Sequence, residues 1–191
     1  MSQDNRFIEV EHKFVVSDEF DVAGFRASAL AMAPERTGEV EVKDTYFVVS
    51  GHPELMFRHR IDDERQELTV KSRGGDTESR LEVNLRLDPA AGDQRASAAA
   101  FLAPFGVRWQ GTLHKQVQVF YFADCEVVYY HAQVGGRSVR CVEFEAVDHS
   151  GDVEAARATL VRYERELGFA ERERTRTSLF DLLLAPLMNA L

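Results

Sequence analysis

Charged and apolar residues alternate with period two along much of this chain. In the opening segment Phe7–Val16, Glu9, Glu11 and Lys13 fall on one face, and Ile8, Val10, His12 and Phe14 fall on the other. Side chains of a β-strand alternate in this way. The pattern returns at Arg58 and Arg60, opposed by Phe57, His59 and Ile61, and at Glu67, Thr69, Lys71 and Arg73, opposed by Leu68 and Val70. Glu78, Arg80, Glu82, Asn84 and Arg86 alternate with Leu81, Val83, Leu85 and Leu87; Glu143 and Glu145 alternate with Val142, Phe144 and Ala146. With turn signals at Ser50-Gly51-His52-Pro53, Asp62-Asp63, Gly74-Gly75 and Gly135-Gly136, this predicts strands over 6–16, 37–49, 54–62, 65–73, 78–87, 107–121, 124–133 and 137–148.

Helices fall between the strands. Ser17 or Asp18 is placed to cap a helix through about Met32, and 93–102 reads as a short helix ending before Pro104. Asp152 caps a helix to Leu167, which Gly168 ends, and Thr177 or Ser178 starts a last helix through Leu184, halted near Pro186. One strand with a charged face reads as a solvated outer surface. Five such strands of mixed sign read as faces converging inside a closed barrel, where a metal and a polyanion would neutralise the charges. The fold class is therefore α+β: a closed eight-stranded antiparallel β-barrel with a charged lumen and helices packed outside. The break at Asp88–Asp93 is a connection within one domain over 1–191, because neither half holds enough strands to close a barrel.

Composition narrows the partners. A net charge of −9 and a pI near 5.2 argue against nucleic acid as the main partner. Local charge, however, decides polyanion binding. Cys125 and Cys141 suggest apolar filler rather than a disulfide framework. The opening Met1-Ser2-Gln3-Asp4-Asn5-Arg6 lacks the apolar core of a signal peptide, and the stretch 179–191 is too short to span a bilayer. A cytoplasmic protein with no membrane partner is expected. His12 and His59 fall on the apolar face and read as core or helix contacts; no histidine has zinc spacing, and no P-loop is present.

The motifs come in an order that resembles the CYTH proteins, or triphosphate tunnel metalloenzymes. Glu9-Val10-Glu11-His12-Lys13 is followed by Asp44-Thr45-Tyr46-Phe47, Phe57-Arg58-His59-Arg60, Leu68-Thr69-Val70-Lys71, Arg80-Leu81-Glu82 and Glu143-Phe144-Glu145. The resemblance implies a small-molecule triphosphate as partner, bound by Lys13, Arg58, Arg60, Lys71, Arg73, Arg80, Lys115 and Arg176. It implies Mg²⁺ or Mn²⁺ on Glu9, Glu11, Glu143 and Glu145, with Glu11, Glu145 and Lys13 catalytic; Glu82, on the same charged face, is a further carboxylate available to the metal. These residue types suit that chemistry, since Arg and Lys hold phosphate oxygens and hard divalent ions prefer carboxylates. Three departures stand out. Lys115 is followed by Gln116 and Val117 where many members have a K-x-R pair; an aspartate before the late Glu-x-Glu is absent near Tyr130 or His131; and Arg176-Thr177-Ser178-Leu179 stands where Lys-Ser-Tyr is common. The functions implied are a metal-dependent triphosphatase acting on inorganic or thiamine triphosphate, a class IV-type adenylyl cyclase, or a non-catalytic polyphosphate- or nucleotide-binding module. A homodimer is left open.

Overall fold

A computed structural model describes residues 6–73, 78–147 and 150–189. Eight strands, β1 (Arg6–Val16), β2 (Arg36–Val49), β3 (Leu55–Ile61), β4 (Gln66–Ser72), β5 (Ser79–Leu87), β6 (Val107–Tyr121), β7 (Cys125–Val134) and β8 (Arg137–Ala146), close into an antiparallel barrel in the order β1-β5-β4-β3-β2-β6-β7-β8. β1 closes it by dividing its length. Residues 6–10 pair with β5 and residues 11–16 pair with β8, so Glu9 stands opposite Arg80 and Glu11 opposite Glu145. The predicted strands match within a few residues. The expected Gly74-Gly75 turn and the extension of the last strand to Asp148 lie outside the described residues.

Local chemistry sets the hairpins. Gly135 and Gly136 both have positive φ (53° and 78°), which a two-residue turn between β7 and β8 requires. Between β3 and β4 the Asp62 carboxylate accepts from the backbone N–H groups of Glu64 and Arg65.

Three helices cover the outer faces of the strands. Helices α1 (Val22–Ala31) and α3 (Val153–Glu166) bury Phe25, Ala29, Ala156, Leu160 and Tyr163 against Val10, Phe14, Phe120, Val127 and Phe144. Helix α2 (Arg95–Leu102) places Ala98 and Leu102 over Phe47 and Leu68. Asp152 caps α3 as expected, accepting from Ala155 N–H at 3.0 Å, and Gly168 follows it at φ 76°. The expected start of α1 is corrected: the chain turns between Ser17 and Phe20, Phe20 packs on Phe25 and Phe169, and Asp21 is the cap, accepting from Gly24 N–H at 2.9 Å.

The C-terminal segment departs from expectation in place and length. A π-helical turn (Phe180–Leu184) runs into α4 (Ala185–Met188), so Pro186 does not halt the helix. Pro186 directly follows the π-type turn, in which Ala185 N–H bonds Phe180 C=O, so the i→i−4 ladder is already interrupted where its N–H is missing. Phe180, Leu183 and Leu184 pack on Tyr46, Tyr130 and Cys141, residues that share the inward parity of their strands. This last helix therefore closes one end of the barrel instead of covering its side.

Candidate functional site: a one-ended charged lumen

Inward alternation from the eight strands leaves a cavity of about 660 Å³. Leu179 and Phe180 close it at one end, and Arg65, Arg86, Tyr121 and Glu126 line it toward the other. Its two walls differ in chemistry.

The charged wall is built from β1, β3, β4, β5 and β8. Lys71 lies 2.6 Å from Glu9 and also contacts Glu82, its register partner on β5. Arg80 contacts Glu11 and lies 3.5 Å from Glu9. Lys13 bridges Glu11 (3.3 Å) and Glu143 (3.1 Å), and the Tyr130 hydroxyl donates to Glu143 at 2.7 Å. Arg58 sits 3.7 Å from Glu67 and donates to Thr69. Removing such charges from water is costly, and the close pairing offsets that cost. Burial opposes ionisation of Glu11, yet Lys13, Arg80 and Lys71 hold its carboxyl well below the usual range. Burial likewise works against the Lys13 ammonium, but Glu11 and Glu143 raise it.

A second centre lies where β2 meets β3 and β6. Asp44 is fully buried and accepts two hydrogen bonds from the Arg60 guanidinium, at 2.8 Å on Oδ1 and 2.9 Å on Oδ2, while Lys115 lies 2.7 Å from the same Oδ2. Burial, then Arg60 and Arg58, push the Lys115 ammonium down to about 8, against the pull of Asp44. The opposite wall, from β2, β6 and β7, is apolar: Val40, Val42, Val117, Val119 and Val128 face the cavity. On β2 polarity is inverted relative to the charged-wall strands, with Glu39, Glu41 and Lys43 outside and exposed, and on β6 His114 and Gln116 are likewise outside.

Of the residues expected to bind phosphate, Lys13, Arg58, Arg60, Lys71, Arg80 and Lys115 meet in this lumen. Arg73 and Arg176 lie at its closed end, 3.4 Å from Asp181 and 3.8 Å from Glu78 respectively, and the Arg176 side chain is 74% exposed. His12 and His59 are buried outside the lumen, His12 against Glu164 of α3 at 2.5 Å and His59 against Gln66 at 2.8 Å. Four acids of the lumen and its closed end went unassigned in the sequence: Asp44, Glu67, Glu126 and Asp181. Glu67 shares a parity with Thr69 and Lys71, which was signal enough. Around Asp44 both parities carry polar groups, and Glu126 shares its parity with Val128 and Tyr130, so alternation alone could not place them.

All five expected metal-binding carboxylates line the cavity. Among the described residues no three Asp, Glu, His or Cys side chains are grouped to hold a metal as they stand, because Glu9, Glu11 and Glu82 are turned onto Lys71 and Arg80. Their chemistry nevertheless fits a hard divalent ion. Burial, then Glu9 and Glu126, push the Glu145 carboxyl well above its usual range, and Glu9 is also raised, chiefly by burial. Glu145 faces other carboxylates, Glu11 and Glu126, across both neighbouring strands, an arrangement that a divalent cation would relieve.

No family model matches the sequence, and no curated protein sequence matches it. Solved structures do. The PH1012 protein of Pyrococcus horikoshii superposes with a TM-score of 0.72 at 16% identity, over 92% of this chain and 99% of that one. A Bacillus halodurans protein designated an adenylate cyclase has a TM-score of 0.63 at 18% identity, over 92% and 97% of the two chains. HpAC1 of Hippeastrum, in which a dominant triphosphatase activity is recorded, has 0.61 at 15%, over 94% and 95%. The eight-stranded antiparallel barrel is the one implied by the motif order, and the chain shares its fold with these structures.

Proposed function

We propose that this protein is a metal-dependent hydrolase of triphosphate compounds, cleaving a phosphoanhydride bond inside the lumen. One observation carries the reading: six Lys and Arg side chains from five strands converge on one cavity, each within reach of a carboxylate. Phosphoryl transfer asks a protein chiefly for positioning and charge neutralisation. Arg58, Arg60, Lys71, Arg80 and Lys115 would hold the phosphate oxygens, while Arg73 and Arg176 would meet a chain that reaches the closed end. The neighbouring acids cancel these cations and would repel a polyanion, which is the physical reason for a divalent ion on Glu9, Glu11, Glu82, Glu143 and Glu145. Mg²⁺ or Mn²⁺ held by these carboxylates would supply charge neutralisation and Lewis acidity at the phosphates. Lys13 holds Glu11 and Glu143 in place and offers its charge to the transferred group. Glu145 would accept the proton of the attacking water.

The test is purified protein with Mg²⁺ or Mn²⁺, a panel of triphosphates, and separate assays for phosphate, pyrophosphate and cyclic AMP. Phosphate release that EDTA abolishes and excess metal restores is the expected result. Activity unchanged in EDTA sinks the metal role. Pyrophosphate with cyclic AMP identifies a cyclase, and binding without turnover identifies a non-catalytic module.

A further inference from the structure

The apolar wall begins one inward step beyond the Asp44 centre. Val42 precedes Asp44 by two residues on β2 and Val117 follows Lys115 by two on β6, a distance of about 7 Å along a strand. Val40 pairs with Val117, and Val119 pairs with Val128, so the five side chains form one continuous patch running toward the open end. They are not simply barrel filling. Val40, Val117 and Val128 face inward yet are only half-buried, because the cavity lies over them. The cavity's size, about 660 Å³, falls in the range of roughly 300–1,000 Å³ typical of pockets for whole organic ligands. A bare phosphate chain on the cations would leave this wall wet. Its five side chains are all valines, which carry no donor or acceptor to read the polar edge of a base.

Resting on the proposed triphosphate site, we propose that the substrate is a polyphosphate ester with a hydrocarbon-like group, which lies on the Val40–Val42–Val117–Val119–Val128 wall while its phosphates occupy the cation cluster. The ester group then points toward Tyr121 and the open end, and the terminal phosphates toward Lys13 and Arg80. Water released from the valines adds to affinity with each methylene, whereas inorganic triphosphate has nothing to place there.

Calorimetry with Mn²⁺ and methylene-bridged triphosphate, compared with its methyl, butyl and hexyl monoesters, tests this without turnover; the adenosine ester forms a separate arm. Affinity is expected to rise about three- to fourfold per methylene, the ratio equivalent to about 0.8 kcal/mol of burial. Val117→Thr and Val128→Thr should flatten that rise and leave binding of the unesterified compound unchanged. Equal affinity across the series, or a Thr effect equally large on the unesterified compound, overturns the wall. Tighter binding of the adenosine ester than of the hexyl ester also overturns it. Failure of every compound to bind removes the triphosphate site itself, a result distinct from uniform binding.

Discussion

Glu9 and Glu11 on β1, and Glu143 and Glu145 on β8, share a spacing and an inward face, and they lie on adjacent strands. Their surroundings differ. Glu11 is gripped by Lys13 and Arg80, and Glu9 by Lys71 and Arg80. Glu143 shares Lys13 and accepts from Tyr130. Glu145 faces Glu11 on one side and Glu126 on the other, with the Glu9 carboxylate contributing to its raised proton affinity. The same dipeptide spacing therefore yields one glutamate held ionised and another driven toward its neutral form. Cross-strand register decides which, through partners that are distant in sequence.

Glu11→Gln against Glu145→Gln breaks or sharpens that difference most strongly. Both variants lose an anionic oxygen in the proposed metal site, and Mn²⁺-dependent turnover should fall about a hundredfold or more in each. Stability should separate them. Glu11→Gln leaves Lys13 and Arg80 short of a counterion, although Glu143 and Glu9 remain. The cost should be on the order of 2 kcal/mol, below the about 3–5 kcal/mol of a fully broken buried pair. Gln resembles the neutral form of Glu145, so Glu145→Gln should leave the urea midpoint unchanged or raise it. Equal destabilisation by the two would show that both carboxylates are ionised in the free protein.

The barrel itself was legible because period two survives wherever one face is buried, and hairpin-length links left few topologies. Inward cations such as Arg58, Arg60 and Lys71 were legible for the same reason. Asp44 was not: in Lys43-Asp44-Thr45 both parities carry polar groups, and only the pairing Asp44↔Arg60 across β2 and β3 shows which side is inside. The valine wall was hidden by an assumption that holds on five strands and fails on β2, where the charged residues are the solvated ones. The closing of the lumen by Phe180 and Leu184 depends on where a helix docks, which periodicity does not encode.

The cations of the charged wall provide the next contrast, with those on the outside. Arg58→Ala should weaken triphosphate binding by about 1.5–3 kcal/mol, the range for hydrogen bonds to charged groups. Arg165→Ala, in the last turn of α3 on its exposed side, should change it by less than about 0.5 kcal/mol. Titration calorimetry reads both. Similar losses at the two positions would mean that the phosphates are bound by the general surface field and not by the lumen.

The smallest effect sets Lys115 against Lys13, two buried lysines driven in opposite directions. Lys13 stays charged throughout the accessible range. Lys115, pushed down to about 8 by burial and then by Arg60 and Arg58, loses its proton as pH rises through that value, while a bound polyanion requires the charged form. Triphosphate affinity should therefore fall above about pH 8 with a slope approaching tenfold per unit, about 1.4 kcal/mol. Lys115→Met should bind more weakly at pH 7 and lack that slope. Linkage gives the opposite sign for the free protein: the unfolded chain keeps this lysine's proton to about 10.4, so between about 8 and 10.4 it binds more protons than the native state, and the lysine's contribution to stability rises with pH. Cys125 and Cys141, whose thiols burial pushes upward, contribute the reverse slope; taking the difference between wild type and Lys115→Met cancels them. Binding that weakens while this stability difference grows across the same pH window would identify Lys115 as the titrating group. A binding slope that survives in Lys115→Met would assign it to another residue and leave Asp44 and Arg60 as the whole of that centre.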